Sequence, residues 1–144
     1  MNWDKTSSNH PQITEELIQT VEHRMQIRFP ADYRTIIKEN NGARPINQTI
    51  QVGTQNEGFD KLMSLHPSDD DYLLIHWEML QQHHELPRHY VPIAIDSFGN
   101  YFCFDFQQDN PSIVFYDQNF ELIDPKAIQH VSDSFTQLVE KLQP

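Results

Sequence analysis

Two carboxylates in VPIAIDSFGNYFCFDF, residues 91–106, are the first groups whose types suggest chemistry. To share a glycosidic hydrolysis, Asp96 and Asp105 would have to stand about 5 to 9.5 Å apart. If residues 96–100 turn, Asp105 lies five residues up the returning strand from Asn100, roughly 16 Å from Asp96 at about 3.3 Å per residue. The pair is too wide. Asp, Ser, Gly and Asn are the residues that tight turns select, so the stretch predicts a hairpin instead. On its returning strand Phe102, Phe104 and Phe106 share one face, which predicts core, while Tyr101, Cys103 and Asp105 share the other.

The histidines come next. His66, His76, His83, His84 and His89 fall within 24 residues, and on a helix His76 and His83 would share a face, as zinc ligands must. No HExxH spacing is present, and adjacent His83 and His84 point in different directions, so the reading is solvated or half-buried rings and no metal site. Asp69, Asp70 and Asp71 lack the alternating ligands and central glycine of a calcium loop and read as a mobile acidic run. Cys103, alone in an aromatic strand, reads as buried packing rather than a reactive thiolate. The four glycines make no P-loop, dinucleotide fingerprint or GxSxG elbow. The sequence thus predicts no catalytic residues, no cofactor and no enzymatic activity.

The elements that carry these residues are legible from periodicity. ITEELIQTVEHRM, after a loose lead-in over residues 1–12, spaces Ile13, Leu17, Ile18, Val21 and Met25 as one helix face, with Thr14 as N-cap and Ile13 and Ile18 as a hydrophobic staple. FPADYRTIIKENNGA predicts a second helix, opened by Pro30 at its first position and ended by Gly42 in the left-handed conformation. Phe29, Tyr33, Ile36 and Ile37 face inward. INQTIQV and GFDKLMSL read as short strands, YLLIHWEMLQQHH as a helix closed by Pro87, and PSIVFYD and FELI as continuations of the hairpin's sheet. SDSFTQLVEKL predicts a closing helix capped by Ser132 or Asp133, with Phe135, Leu138, Val139 and Leu142 inward. The order implies a single domain over residues 1–144 of α+β class, with one antiparallel or mixed sheet packed by helices.

At 144 residues such a chain buries roughly 70% of the surface it would expose unfolded. Its net charge of −11 is one-sided: residues 1–44 carry six acids and six bases, residues 45–144 fifteen acids and four bases. That balance disfavours nucleic acid and anionic membranes, whose binding needs Lys and Arg, and favours a basic protein partner. No apolar run reaches the length of a membrane span and the N-terminus has no signal pattern, so the expected compartment is the cytoplasm. No motif speaks to oligomeric state.

Three of these stretches also resemble a known family. FPADYRTIIKENNGA looks like the (L/F)P-x-(D/S)-Y…NGG segment of the SUKH superfamily, which includes fungal cell-wall-synthesis regulators and many bacterial immunity proteins. YVPIAIDSFGNYFCFDF is similar to its PIA-x-D-x-x-GN hairpin, and VSDSFTQLVEKL to its closing helix. The order matches over residues 13–142, with NNGA in place of NGG and Ser97 and Phe98 at the hairpin turn where small residues are commoner. The resemblance implies an α+β fold with one curved sheet and no catalytic activity. Its motif residues shape a helix (Pro30, Tyr33, Gly42) and a turn (Asp96, Gly99, Asn100), so they supply no binding site.

The resulting expectation is an immunity protein that neutralises a cognate bacterial toxin, basic and nuclease-like, by stoichiometric binding. A regulatory or scaffold protein without a toxin partner is the alternative, and a zinc enzyme built on the histidines at 66–89 the third. The expected binding residues are Asp69, Asp70 and Asp71, together with Phe98 and Tyr101 as aromatic anchors and Asp105, Asp109 and Asp117 along the hairpin and its continuation. Replacing Asp69, Asp70 and Asp71 with Asn is expected to leave folding intact.

Overall fold

Helix α1 (Glu15–Met25) of the computed structural model, which describes residues 3–144, begins where its cap requires. Thr14 takes extended backbone and its hydroxyl accepts the Leu17 N–H at 3.2 Å, while Glu15 and Glu16 occupy the turn that the helix dipole makes favourable for acids. Ile13 and Ile18 are both buried, as a staple needs. Helix α2 (Ala31–Asn40) starts one position later than expected, so Pro30 is its N-cap rather than its first residue. Glu22 of α1 fastens this junction, accepting the Phe29 N–H at 2.7 Å and holding the Arg34 guanidinium at 2.8 Å. Gly42, at φ +69°, ends the helix in the conformation only glycine adopts without strain.

Residues 3–12 are not a loose lead-in. Trp3–Asp4 (β1) pairs antiparallel with Arg44–Pro45 (β2), Lys5–Ser7 make a 3-10 turn capped by Asp4, and Trp3 is buried against Phe59. The lead-in has no periodicity to read, and its anchor is a single large aromatic. Thr49–Val52 (β3) and Gln55–Gly58 (β4) form a separate hairpin.

The main sheet is antiparallel throughout, in the order Lys61–Leu62 (β5), Tyr90–Ile95 (β6), Tyr101–Asp105 (β7), Ser112–Tyr116 (β8) and Ile128–Ser132 (β9). The architecture is α+β, with the sheet open. Residues 120–123, the expected FELI strand, instead lie in the loop before β9, and Ile123 points to solvent. Pairing of Phe102 with Phe115 and of Phe104 with Ile113 puts these four on one face. Helices α2 and α4 (Phe135–Lys141) cover it through Tyr33, which meets Phe104 and Phe135 edge-on, each at 5.3 Å. Ser134, not Ser132 or Asp133, caps α4, accepting the Gln137 N–H. Phe106, just beyond β7, is half-buried at the border of this core.

The opposite face, with Tyr101, Cys103, Val114 and Tyr116, is covered as well. Helix α3 (Leu73–His84) lies across it, burying Leu73, Leu74, Trp77 and Leu80. The helix's mixed apolar pattern reflects this seat on a sheet that is buried on both sides, though Ile75 remains exposed. At the sheet's edges β5 has only two residues, and the ammonium of Lys141 bonds the Val131 carbonyl of β9 at 2.6 Å. No helix among the described residues is long and apolar enough to cross a membrane.

Candidate protein-binding surface

The hairpin turn at 96–100 is built around one buried carboxylate. Asp96 is 3% exposed, and its oxygens accept the N–H groups of Phe98 and Asn100, each at 2.8 Å, and the Asn100 side-chain amide at 3.1 Å. Asp96 is thus a structural anchor with its lone pairs committed, not half of a dyad. With the turn fixed in this way, Phe98 is lifted outward and stands 84% exposed.

The loop from β8 to β9 is fastened beside that turn. The Asn100 side-chain oxygen accepts the Gln118 N–H at 3.1 Å, and the Gln118 amide donates to the Gly99 carbonyl. Asp117 folds its own loop, accepting the N–H and side-chain amide of Asn119 at 3.0 and 2.9 Å, and Asp124 does the same for the Lys126 N–H. Leu122 and Ile123 project from this loop, Ile123 at 90% exposure. Next to it is a cleft of about 380 Å³ lined by Glu57, Phe115, Asp117, Phe120 and Lys126 among others. Partial burial, then the charges of Asp96 and Asp117, push the Glu57 carboxyl above its usual range. Two loops held by hydrogen bonds therefore present apolar side chains among Glu57, Asp117, Glu121 and Asp124.

The eight expected binding residues do not gather into one patch. Phe98 and Asp117 stand together at this end of the sheet. Asp105 and Asp109 lie at the other end, where Asp105 accepts the Gln107 N–H and faces the His89 ring at 3.8 Å. Tyr101, expected as an exposed anchor, is 5% exposed under α3, with its hydroxyl 2.8 Å from His76 Nδ1, and burial pushes its phenol up to about 12. Asp71 pairs with Lys61 at 3.3 Å, and Asp70 is exposed. Asp69, far from free, is 8% exposed at its side chain and bound to Ser64 and His10. The backbone of the run is stitched too: the Ser64 N–H bonds Asp71 and the Asp69 N–H bonds His66. Its acidic composition suggested mobility because no sequence pattern marks Lys61, Ser64 or His66 as its partners, and His10 lies 59 residues away from Asp69.

The histidines at 66–89 disperse. His76 joins Tyr101 to the Asp70 carbonyl, His84 stands 3.3 Å from the Tyr116 hydroxyl, and His89 meets Gln107 at 3.0 Å. They tie elements together rather than converging. Sequence reasoning missed Leu122, Ile123, Glu121 and Glu57. The available signal was an apolar run between Asp117 and the pair Asp124 and Pro125, which fits a protruding loop as well as a strand.

The fold is an open antiparallel sheet with helices on both faces and loops displayed at its ends. The sequence model of the SMI1 / KNR4 family (SUKH-1) matches residues 12–141, and the chain belongs to that family. A search of curated proteins returns no match.

Proposed function

We propose that this protein is a non-catalytic immunity protein that neutralises a basic, nuclease-type bacterial toxin by binding it stoichiometrically. The observation that carries this reading is the pairing of exposed Phe98 and Ile123 with a surrounding excess of acids at one end of the sheet. Exposed large apolar groups inside a charged rim are the anatomy of a protein-binding surface, where a few anchors supply affinity and charge sets the rate of encounter. A toxin that grips phosphate backbones carries Lys and Arg, which this acidic chain attracts. Membership of the SMI1 / KNR4 family supports the reading, since family members act through partner proteins. In this reading Asp117 and Phe98 serve as binding residues, as the sequence led us to expect.

The test is co-expression with the product of the adjoining upstream reading frame, followed by purification through one partner. A one-to-one complex that suppresses that protein's toxicity, and that Phe98→Ala with Ile123→Ala weakens at least tenfold, is the expected result. A toxic neighbour that neither binds the chain nor is neutralised by it would return the protein to a regulatory role.

A further inference from the structure

Three ligand-bearing side chains meet where the N-terminal segment crosses the segment after β5. His10 Nδ1 is 2.9 Å from Asp69 Oδ1, and the His10 and His66 rings lie parallel with centroids 3.7 Å apart. One ligand atom from each of His10, His66 and Asp69 falls within 4.8 Å of the other two. The Asp69 side chain is nearly buried, yet among the described residues its one basic partner at ion-pair distance is His10, which carries no permanent charge. A carboxylate withdrawn from water and faced by imidazoles, with neither Lys nor Arg against it, lacks a fixed counter-charge.

We propose that His10, His66 and Asp69 form a binding site for a divalent transition-metal ion of the zinc type. Two imidazoles and one carboxylate suit zinc, whereas calcium and magnesium take oxygen ligands. Bonds of about 2.0–2.2 Å put tetrahedral ligand atoms roughly 3.3–3.6 Å apart, so the His10–Asp69 pair at 2.9 Å opens slightly while the separations to His66, within 4.8 Å, adjust toward that spacing. Both rings are partly exposed, and since His66 Nδ1 accepts the Ser68 N–H at 3.2 Å, a metal would take its Nε2 or displace that bond. The rings must leave the parallel arrangement, because an imidazole binds metal in its own plane. Water fills the remaining position.

The surrounding groups are already in place. Ser64 donates to Asp69 Oδ2 at 2.7 Å and accepts from the Asn41 amide at 3.0 Å. The same Asn41 amide bonds the His10 carbonyl at 2.8 Å, and its oxygen takes the Leu65 N–H at 2.7 Å. Asn41 and Ser64 are both buried. One buried side chain therefore sets the backbone of both segments that bring the histidines, and a hydroxyl orients the carboxylate, as the outer shell of a metal site does. Spacing along the chain hides the cluster, since His10 and Asp69 are 59 residues apart.

Calorimetric titration of the chelator-stripped chain with Zn²⁺ tests the site, with Mg²⁺ as the control ion. We expect one Zn²⁺ per chain, a raised melting temperature on binding, and no response to Mg²⁺. His10→Ala and His66→Ala should each weaken Zn²⁺ binding at least tenfold, while exposed His83→Ala leaves it unchanged. Circular dichroism checks that the metal-free variants are folded, and His10→Gln and His66→Gln replace either alanine variant that is not. Absence of a saturable equivalent in the parent chain would overturn the proposal. So would Zn²⁺ affinity that is indifferent to both histidines, which would mean adventitious binding elsewhere on the surface.

Discussion

Tyr33 meets Phe104 edge-on, with ring centroids 5.3 Å apart and planes at 82°, and this contact joins α2 to the centre of the sheet. Phe104 also packs on Phe29, Phe106 and Phe135. Removing its ring leaves a cavity bordered by four aromatics, two of them (Tyr33 and Phe135) fixed on helices, that cannot all collapse inward. Phe104→Ala should cost about 3–5 kcal/mol in urea denaturation. An unchanged midpoint would show that the ring is not in the core.

Tyr33 itself makes the opposite prediction. Its hydroxyl is fully buried with no hydrogen-bond partner among the described residues, and burial, with a smaller effect from Glu22, pushes its ionisation far up. Deleting an unpaired buried hydroxyl removes a desolvation cost without breaking a bond. Tyr33→Phe should therefore match the parent's stability or exceed it by about 1 kcal/mol. A loss of that size would mean that the hydroxyl has a partner in solution.

Asp69 and Asp70 are neighbours with different roles. Asp69→Asn disturbs bonds to both Ser64 and His10 in a nearly buried position and should cost about 1–3 kcal/mol. Asp70→Asn should stay within about 0.5 kcal/mol of the parent. Chemical denaturation of the two single variants separates them. Equal stabilities would restore the view of the whole run as a free acidic loop.

Glu57 gives the fold a small pH dependence. Its carboxyl is raised in the folded state by partial burial and by Asp96 and Asp117, so the folded chain holds this proton more tightly than the unfolded one. Stability contributed by this group is present at acid pH and lost as pH rises from the ordinary value of 4.5 through the folded one. Glu57→Gln should consequently be slightly more stable than the parent at neutral pH, and the difference should shrink with added salt and vanish below pH 4.5. Melting temperatures of both proteins across pH and salt check the sign.

Cys103 lies fully buried between β7 and α3, and burial, with Asp105 nearby, pushes its thiol well above the usual range. The native protein should resist alkylation by iodoacetamide at neutral pH and react fully in denaturant. Rapid labelling of the native chain would require α3 to lift from the sheet.

Where a residue's partners are close in sequence, the chain could be read in advance. The Thr14 cap, the Gly42 stop and the Asp96 turn are local patterns, and the structure contains all three. Burial of Phe102 and Phe104 followed from alternation along one strand. What alternation does not reveal is whether the second face of a strand is also covered, and this hid Tyr101 beneath α3. Trp3, Asp69 and the β9 strand depend on contacts made across the fold, so composition alone misplaced them. At the candidate surface Phe98 was legible from its turn. Leu122 and Ile123 were not, because apolar residues in a row suit a strand as well as a protruding loop.

The two ends of the sheet limit how any partner can approach. An exposed strand edge invites an incoming chain to extend the ladder with its own backbone, which is how many proteins capture peptides and also how sheets aggregate. Here β5 presents two residues, and Lys141 occupies the Val131 carbonyl on β9. With so short a template at one margin and an ammonium set into the other, the molecule resists growing by strand addition. Under the proposed function, recognition would fall to side chains carried on its turns, a form of binding that can be retargeted by exchanging a few residues while the scaffold remains unchanged.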